Sequence, residues 1–187
     1  MSVPRVLSIA GTDPTGGAGI QADLKSIGAL GGYGMAVVTA LVAQNTQGVR
    51  SVHAPPPAFL DAQLRAVSDD VEIDAVKIGM LHSTAVVDVV AAWLEDVRPP
   101  TVVLDPVMVA TSGDRLLDAE AEEAVRTLCR RADLVTPNLA ELAVLTGSAR
   151  ADTWTDAVAP ARALLAGTGK TVLLKGGHLD GALCPDA

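Results

Sequence analysis

Short apolar runs alternate along this chain with segments of helical periodicity, and this alternation limits the possible folds more than any other feature. The apolar runs lie at residues 6–10, 35–43, 75–78, 101–104, 134–136 and 171–175. The segments that predict helices are 18–30, 59–67, 84–94, 119–128, 139–145 and 154–165. Parallel neighbouring strands need crossover connections of this kind. We therefore predict an α/β fold of three layers, with helices on both faces of a mainly parallel sheet.

The composition indicates one compact domain over residues 1–187. Hydrophobic residues make up 49% of the 187 residues, whereas aromatic residues make up only 2%. The core therefore has to be built mainly from aliphatic side chains, as is typical of α/β proteins. The run of prolines at 55–57 is too short to indicate a linker between domains.

The charge balance bears on the class of ligand. The chain has 14 Lys and Arg against 22 Asp and Glu, a formal net charge of -8, and its basic residues form no cluster. We therefore expect no binding to nucleic acid. Nucleotides stay open as ligands, because backbone N–H groups and one or two Lys act at contact distance while the overall field is screened over about 8 Å.

The cysteines and histidines predict no structural metal site. Cys129 and Cys184 fit no CxxC or zinc-binding spacing, and the three histidines are far apart in the sequence. The sequence also lacks an N-terminal hydrophobic signal and an apolar span of membrane length. We therefore expect a protein of the reducing cytoplasm without a membrane segment, in which any metal arrives with a nucleotide.

Glycines and polar residues follow the predicted strands, and this is the edge at which open parallel sheets bind ligands. After the first five strands these residues are Gly11 to Asp13, Gln44, Gly79 with Met80, Asp105 and Asn138. Lys175 ends the last apolar run. Gly16, Gly17 and Gly19 indicate a turn in which backbone N–H groups approach a ligand, although an ordinary strand-to-helix turn is the alternative.

Three side chains are candidates for holding an amino-substituted ring. Asp23 is able to accept a hydrogen bond from an amino-substituted heterocycle, and a solvated carboxylate on the helix is the alternative. Gln44 offers both a donor and an acceptor, as the edge of such a ring requires. Met80 is able to pack on the face of the ring, although methionine at such a position is more often a core residue.

Two further residues, Asp105 and Lys175, are candidates for holding Mg²⁺ and phosphate, and another pair has a structural explanation. Asp105 stands where a carboxylate can bind Mg²⁺, but aspartate before proline also forms turns. Asn138 and Glu141 have the spacing of a capping box, which is a structural role. Lys175 is able to neutralise phosphate charge during transfer, and a lysine in solvent at a strand end is the alternative.

The segment 167–171 looks like part of a phosphate-binding Walker loop but does not fit one. The required spacing puts a glycine at position 164, which is Leu164. The segment also leads from a helix into a strand, which is the reverse of the Walker order. We therefore predict that it ends a helix and forms a turn.

Several of these segments together resemble one enzyme family. They are SIAGTDPTGGAG at 8–19 with the following QADLK, DPVM at 105–108, TPNLAEL at 136–142 and KGGH at 175–178. In this order they resemble the hydroxymethylpyrimidine/phosphomethylpyrimidine kinases of thiamine biosynthesis, in the ribokinase-like superfamily. The resemblance implies a ribokinase-like fold and ATP-dependent phosphorylation of hydroxymethylpyrimidine and then of its monophosphate, with Mg²⁺.

The resemblance also implies roles for individual residues. It implies pyrimidine binding by Gly11, Asp23, Gln44, Met80 and Val107. It implies ATP or phosphate binding by Asn138, Glu141 and Lys175, and Mg²⁺ binding by Asp105 and Glu141.

The catalytic base stays unassigned from the sequence. The family opens its catalytic helix with a Gly-Thr-Gly-Cys segment after the position of Lys175, and no such segment occurs before Ala187. We therefore expect a kinase domain whose C-terminal elements are missing, with apolar surface that a homo-oligomer would cover. A pyridoxal or pyridoxine kinase and a non-catalytic pyrimidine-binding module are the alternatives.

Overall fold

The prediction of alternating strands and helices is confirmed in the computed structural model, which describes residues 2–109, 116–177, 179 and 185–187. The strands are β1 Arg5–Ala10, β2 Tyr33–Val38, β3 Leu41–Asn45, β4 Gly48–His53, β5 Ala75–Ile78, β6 Val102–Leu104, β7 Leu134–Val135 and β8 Thr171–Val172. The α-helices are α1 Gly19–Ala29, α2 Pro57–Ser68, α3 Thr84–Val97, α4 Glu122–Cys129, α5 Leu139–Thr146 and α6 Trp154–Thr168.

Six of the strands form one parallel sheet in the order β2-β1-β5-β6-β7-β8. The chain runs outward from β1 to β2 and then crosses back to β5 on the other side of β1. This reversal makes the carboxyl ends of β1 and β5 a topological switch point, where open α/β sheets bind their ligands.

The helices cover two faces of this sheet. Helix α1 packs on β1 and β2, whereas α2 to α6 contact one another in series. The connection from β1 to β2 runs across the sheet in the opposite direction to all later connections between its strands. Because crossovers between parallel strands are right-handed, α1 lies on one face of the sheet and α2 to α6 lie on the other. The three-layer prediction is therefore confirmed. In the part of the chain that the structure describes, no helix is long and apolar enough to cross a membrane.

The prediction of one long strand at 35–43 is wrong. Strand β2 ends at Val38, and residues 41–45 form β3, which pairs with β4 in a separate antiparallel hairpin. The chain leaves the main sheet because Thr39 Oγ1 donates to the carbonyl of Met80 at 2.6 Å and the carbonyl of Ala40 accepts from Thr12 N at 2.9 Å. Strand β4 was not predicted, because its sequence GVRSVH is too polar to stand out as an apolar run.

The core lies between the sheet and the larger layer of helices. Trp93 of α3 is fully buried, and its indole N–H donates to Ser68 Oγ at 3.2 Å. The other large, fully buried side chains are aliphatic, as the composition predicts: Leu7, Ile9, Leu60, Leu64, Ile78, Leu81, Leu104, Leu128, Leu139, Leu142 and Leu174.

Gly19 lets the end of β1 and the start of α1 come into contact. Its φ is +55°, and a Cβ built there would lie 2.3 Å from the carbonyl oxygen of Gly11. Ile20 N donates to the same oxygen at 3.0 Å, so the close approach is also a hydrogen-bonded one. A side chain at position 19 would separate these two segments.

We predict that Gly19→Ala lowers the free energy of unfolding by at least about 2 kcal/mol, through the left-handed backbone and the overlap with Gly11. Gly28→Ala is the matched control, because a Cβ there meets nothing within 4 Å. This second change should be neutral or stabilise the protein by about 0.5–1 kcal/mol, since alanine favours helix. Urea unfolding of both variants checks the prediction, and equal effects would contradict it.

Candidate active site

The carboxyl ends of five neighbouring strands bring the predicted site residues to one edge of the sheet. Gly11 follows β1, Met80 follows β5, Asp105 follows β6, Asn138 follows β7 and Lys175 lies beyond β8. Because the spatial order of these strands is the chain order, the residues form a row. One end of the row is apolar and the other end is charged.

The apolar end is a patch formed by Gly11, Val42, Met80 and Val107, which we call the apolar patch. Met80 and Val42 are buried together, and Val107 packs against them. A Cβ at Gly11 would lie 3.1 Å from Met80 Sδ and 3.6 Å from Val42 Cγ2, so glycine lets these side chains reach the backbone. The structure thus brings together three of the five predicted pyrimidine-binding residues.

Gln44 lies on the hairpin rather than at the end of a main-sheet strand, where it was predicted. It is half-buried in β3, and the strand register shifts between Ala43 and Gln44. A bulge of this kind redirects the side chain that follows it. The side chain of Gln44 is among the groups that lower the pKa of the Asp13 carboxyl, so it faces the Gly-rich loop.

Asp23 lies between α1 and the sheet, where it has protein partners. Its Oδ2 accepts from Ser8 Oγ at 2.6 Å and from Lys77 Nζ at 3.0 Å, and only 17% of its side chain is exposed. The alternative of a solvated carboxylate is therefore wrong. Because the ion pair uses Asp23 Oδ2, a ligand would have to compete with it or approach the other oxygen.

The Gly-rich loop, residues 11–18, differs from the sequence prediction. Its N–H groups were expected to approach a ligand, but three of them donate to the carboxylate of Asp13 instead. The donors are Thr15 N at 2.9 Å, Gly17 N at 3.0 Å and Ala18 N at 2.8 Å. Thr15 Oγ1 adds a fourth bond at 2.8 Å. A carboxylate of the protein itself therefore fills the position that an anionic ligand would take.

Asp13 is charged although only 3% of its surface is exposed. Burial alone would raise the pKa of its carboxyl, but the hydrogen bonds from Thr15 and Ala18, with the nearby Gln44 amide, outweigh it and hold the pKa below its ordinary value. The negative charge stands at the start of α1, where the helix dipole favours an anion. The loop is therefore suited to an uncharged ligand group and unsuited to a phosphate.

The charged end of the row is formed by Asp105, Glu141 and Lys175, which we call the charged cluster. Lys175 Nζ donates to Asp105 Oδ1 at 2.6 Å, and Thr136 Oγ1 donates to the same oxygen at 3.2 Å. Lys175 is thus held in an ion pair, and the alternative of a lysine free in solvent is wrong.

Asn138 and Glu141 form the predicted capping box at the start of α5. Asn138 Oδ1 accepts from Ala140 N and Glu141 N, each at 2.9 Å, while Glu141 Oε2 accepts from Asn138 N at 2.8 Å. Glu141 is only 4% exposed, and this burial raises the pKa of its carboxyl to about 7. Hydrogen bonds from Asn138 and Met108 and the charge of Lys175 lower that pKa, and Asp105 raises it.

The charged cluster fits Mg²⁺ chemically. Asp105 and Glu141 supply carboxylate oxygens, the ligand type that Mg²⁺ prefers. Among the described residues no three His, Cys, Asp or Glu side chains group together as a metal site. A metal ion here would therefore complete its coordination shell with water and phosphate oxygens, as Mg²⁺ usually does in kinases.

The remaining sequence candidates lie elsewhere. Cys129 is a free, buried thiol at the end of α4, and burial raises its pKa to about 12, so it is not a nucleophile. Gly169 ends α6 in a left-handed conformation, with φ 66°, which confirms that segment 167–171 is a helix end. His178 and Cys184 lie outside the described residues.

A comparison with protein-family models identifies the family to which the chain belongs. The model described as phosphomethylpyrimidine kinase matches residues 13–186, which include the charged cluster and all of the apolar patch except Gly11. The chain belongs to the phosphomethylpyrimidine kinase family. The resemblance in the sequence motifs is therefore confirmed.

Two relatives are similar over nearly the whole chain. A thiamine biosynthesis multifunctional protein of Corynebacterium glutamicum is 62% identical over 186 residues, which are 100% of this chain and 24% of that protein. A hydroxymethylpyrimidine/phosphomethylpyrimidine kinase of Salmonella typhimurium is 54% identical over 181 residues, or 96% of this chain and 68% of that kinase. The chain thus corresponds to about a quarter of the first relative and about two thirds of the second.

Solved structures confirm the ribokinase-like fold. The phosphomethylpyrimidine kinase of Clostridium difficile matches with a TM-score of 0.85 and 38% identity, over 98% of this chain and 83% of that one. The pyridoxal kinase of Staphylococcus aureus in complex with AMP-PCP matches with a TM-score of 0.87 and 32% identity, over 100% of this chain and 68% of that one.

The sequence analysis did not single out Asp13, whose carboxylate organises the Gly-rich loop. The signal for it was present, since an aspartate followed at short spacing by Thr15 and Gly17 is typical of a turn closed by its own carboxylate. The proximity of Gln44 to Asp13 had no such signal, because it depends on where the hairpin β3–β4 folds back.

We predict that Glu141→Gln changes the pH dependence of stability in the absence of Mg²⁺. The raised pKa means that folded Glu141 holds its proton up to about pH 7. The unfolded chain loses that proton near the ordinary value of 4.5. Wild type should therefore lose stability relative to the variant as pH rises from 5 to 8, by on the order of 2 kcal/mol.

Urea unfolding of wild type and Glu141→Gln at pH 5 and pH 8 measures this difference. Glutamine keeps an oxygen that accepts from Asn138 N, so the capping box survives in the variant. A difference in unfolding free energy that stays constant across this range would contradict the assigned shift.

Proposed function

We propose that this chain supplies the pyrimidine and phosphate sites of a kinase that transfers the γ-phosphoryl group of ATP to hydroxymethylpyrimidine and to its monophosphate. The observation that carries the proposal is the segment DPVM, which joins the two ends of the row. Asp105 forms the ion pair with Lys175, and Val107, two residues later, packs in the apolar patch. Their Cα atoms are at most about 7 Å apart, which suits one small substrate reaching both ends.

The distribution of charge along the row supports one orientation of the substrate. The pyrimidine ring would rest on Met80 and Val107, with its polar edge at Gln44. Its hydroxymethyl group would point along the row toward Lys175, away from the negative charge of Asp13. An orientation that puts a phosphate at the Gly-rich loop is disfavoured, because the loop N–H groups already donate to Asp13.

The charged cluster would handle the phosphate. Bound Mg²⁺ would neutralise charge on the phosphate oxygens of ATP. In this chain Asp105 and Glu141 would hold that ion, Asn138 would contribute at the nucleotide phosphates, and the ammonium of Lys175 would offset charge on the transferred group. We assign the acceptor of the hydroxyl proton to none of the described residues.

The pyridoxal kinase alternative has its own support, since the Staphylococcus aureus pyridoxal kinase shares the fold with a TM-score of 0.87. Sequence identity favours the pyrimidine, at 54% to the Salmonella typhimurium kinase against 32% to the pyridoxal kinase.

ATP and a small heterocycle are metabolites of the cytoplasm, where we place the reaction. Exposed Tyr33, the first residue of the edge strand β2, and exposed Leu30 just before it are consistent with a homo-oligomer.

The proposed substrate is tested with the 187-residue chain and 4-amino-5-hydroxymethyl-2-methylpyrimidine. Calorimetry with the pyrimidine and with pyridoxal, and a Mg-ATP phosphoryl transfer assay on the same folded sample, give the answer. We expect the pyrimidine to bind at least about tenfold more tightly than pyridoxal. Transfer to it supports the kinase, whereas binding without transfer supports the pyrimidine-binding module. Tighter binding of pyridoxal would contradict the proposal.

The role of Lys175 is tested by Lys175→Met with Lys170→Met as the matched control. The two lysines flank β8, but Lys170 pairs with Asp133, away from the charged cluster. We expect Lys175→Met to weaken ATP binding by about tenfold or more, through loss of a phosphate contact, and to leave pyrimidine binding unchanged. Lys170→Met should change neither. Equal ATP affinities in the two variants, measured by calorimetry, would overturn the assignment.

A further inference from the structure

Thr39 is a buried polar residue that has no role in the proposed reaction. It is fully buried, whereas threonine is mostly an exposed residue type. It directly follows β2, at the point where the chain leaves the main sheet for the hairpin. A buried hydroxyl without a partner is costly, so the hydrogen bond that the Thr39 hydroxyl makes indicates what it holds in place.

The hydroxyl of Thr39 holds the backbone of Met80. Thr39 Oγ1 donates to the carbonyl oxygen of Met80 at 2.6 Å, across 41 positions of the sequence. Among the described residues no other hydrogen bond to this oxygen is found. Strand β5 ends at Ile78, so Met80 lies beyond the strand pairing that fixes the sheet. The bond from Thr39 therefore sets the position of the Met80 peptide group.

Thr39 is itself firmly anchored. Its backbone N–H donates to the carbonyl of Ala10, at the end of β1, at 3.0 Å. Both backbone groups of the preceding residue, Val38, bond the side-chain amide of Gln63 on α2. Val38 N donates to Gln63 Oε1 at 3.1 Å, and Gln63 Nε2 donates to the Val38 carbonyl at 3.2 Å. The hydroxyl is therefore a fixed point against which Met80 is placed.

The side chain of Met80 has little room in the apolar patch. It is buried together with Val42 and Leu116, and a Cβ at Gly11 would lie 3.1 Å from its Sδ. Methionine is unbranched and flexible, so packing alone fixes its side chain poorly. A fixed backbone at residue 80 is what keeps the sulfur in the position that a ring lying on the patch requires.

We propose that Thr39 is a positioning residue for the pyrimidine site, and that it acts through the backbone of Met80. The hydroxyl holds the Met80 peptide group, and the peptide group holds the side chain against which the ring would rest. Thr39 itself is fully buried and does not touch the ligand. The inference deepens the proposed function and rests on it.

The variant Thr39→Val tests this proposal, because valine has the shape of threonine but cannot donate. The Met80 carbonyl then lacks its donor and shifts, so we expect the dissociation constant for 4-amino-5-hydroxymethyl-2-methylpyrimidine to rise at least about fivefold. The dissociation constant for Mg-ATP should stay within about twofold, since the charged cluster lies at the other end of the row. Calorimetry measures both, and an unchanged pyrimidine affinity would overturn the inference.

Thr39→Ser is the conservative variant that should restore binding. Serine keeps the hydroxyl and loses only a methyl group. We expect its pyrimidine affinity to stay within about twofold of wild type. A loss as large as that of Thr39→Val would show that the methyl group matters rather than the hydrogen bond, and would also overturn the inference.

A double-mutant cycle tests whether Thr39 acts through Met80. Thr39→Val is compared in wild type and in the Met80→Ala background, where the side chain that the hydroxyl positions is gone. We expect the loss of pyrimidine affinity caused by Thr39→Val to shrink to within about twofold in that background. A loss of the same size in both backgrounds would mean that Thr39 affects the site by another route.

Thr168→Val is the matched control. The hydroxyl of Thr168 also donates to a backbone carbonyl, that of Leu164 at 2.9 Å, but it lies at the end of α6, which leads to the opposite edge of the sheet. Its replacement should lower stability and leave the pyrimidine affinity unchanged. Thermal unfolding shows that each sample is folded. Equal losses of affinity in Thr168→Val and Thr39→Val would overturn the inference.

A further variant covers the case in which Thr39→Val does not fold. Thr39→Cys and Thr39→Ser have nearly the same shape, but a thiol is a much weaker donor than a hydroxyl. We expect the cysteine variant to bind the pyrimidine at least about threefold more weakly than the serine variant. Equal affinities of these two variants would overturn the inference.

The outcomes separate this inference from the proposed function. Wild-type binding of the pyrimidine that the Thr39 variants leave unchanged overturns the inference alone. A folded wild-type chain that does not bind the pyrimidine overturns the proposed function, and the inference with it.

Discussion

The site depends on the set of hydrogen bonds that holds a charged carboxylate inside the Gly-rich loop. Removing an ion from water costs several kcal/mol, so Asp13 is stable only with its donors in place. Those donors come from Thr15, Gly17 and Ala18, and their convergence fixes the loop between β1 and α1. Gly19 makes the following contact with Gly11 possible. The apolar patch and the hairpin are then assembled on this fixed loop.

Charge divides the carboxyl edge of the sheet into two regions that are suited to different ligands. The internal anion makes the β1 end suitable for an uncharged ring, whereas Lys175 makes the β8 end suitable for phosphate. Glu141 is a second buried carboxyl, but its pKa is raised to about 7 rather than lowered, because it lacks the number of donors that Asp13 has. A cation bound beside it would favour its charged form, as is expected of a metal ligand.

The sequence predicted the parallel sheet, its helices and the capping box of Asn138 and Glu141, because these features depend on local periodicity and on fixed short spacings. It failed where contacts between distant segments decide the structure. The run 35–43 looked like one strand, but bonds from Thr39 and Ala40 to other loops split it. Asp23 was predicted to face a ligand or solvent, and its ion pair with Lys77, 54 residues away in the sequence, had no signal in the sequence. The roles of Asn138 and Lys175 toward ATP stay predictions.

The central claim, that Asp13 reserves the Gly-rich loop for an uncharged ligand and leaves phosphate to the charged cluster, is tested most directly by NMR. Backbone amide resonances of the isotope-labelled chain would be followed during separate titrations with hydroxymethylpyrimidine and with Mg-ATP. We predict that Mg-ATP shifts the resonances of Asn138, Glu141 and Lys175 and leaves those of Gly17 and Ala18 in place, whereas the pyrimidine shifts Gly11 and Gln44. Large shifts of Gly17 and Ala18 with Mg-ATP would contradict the account.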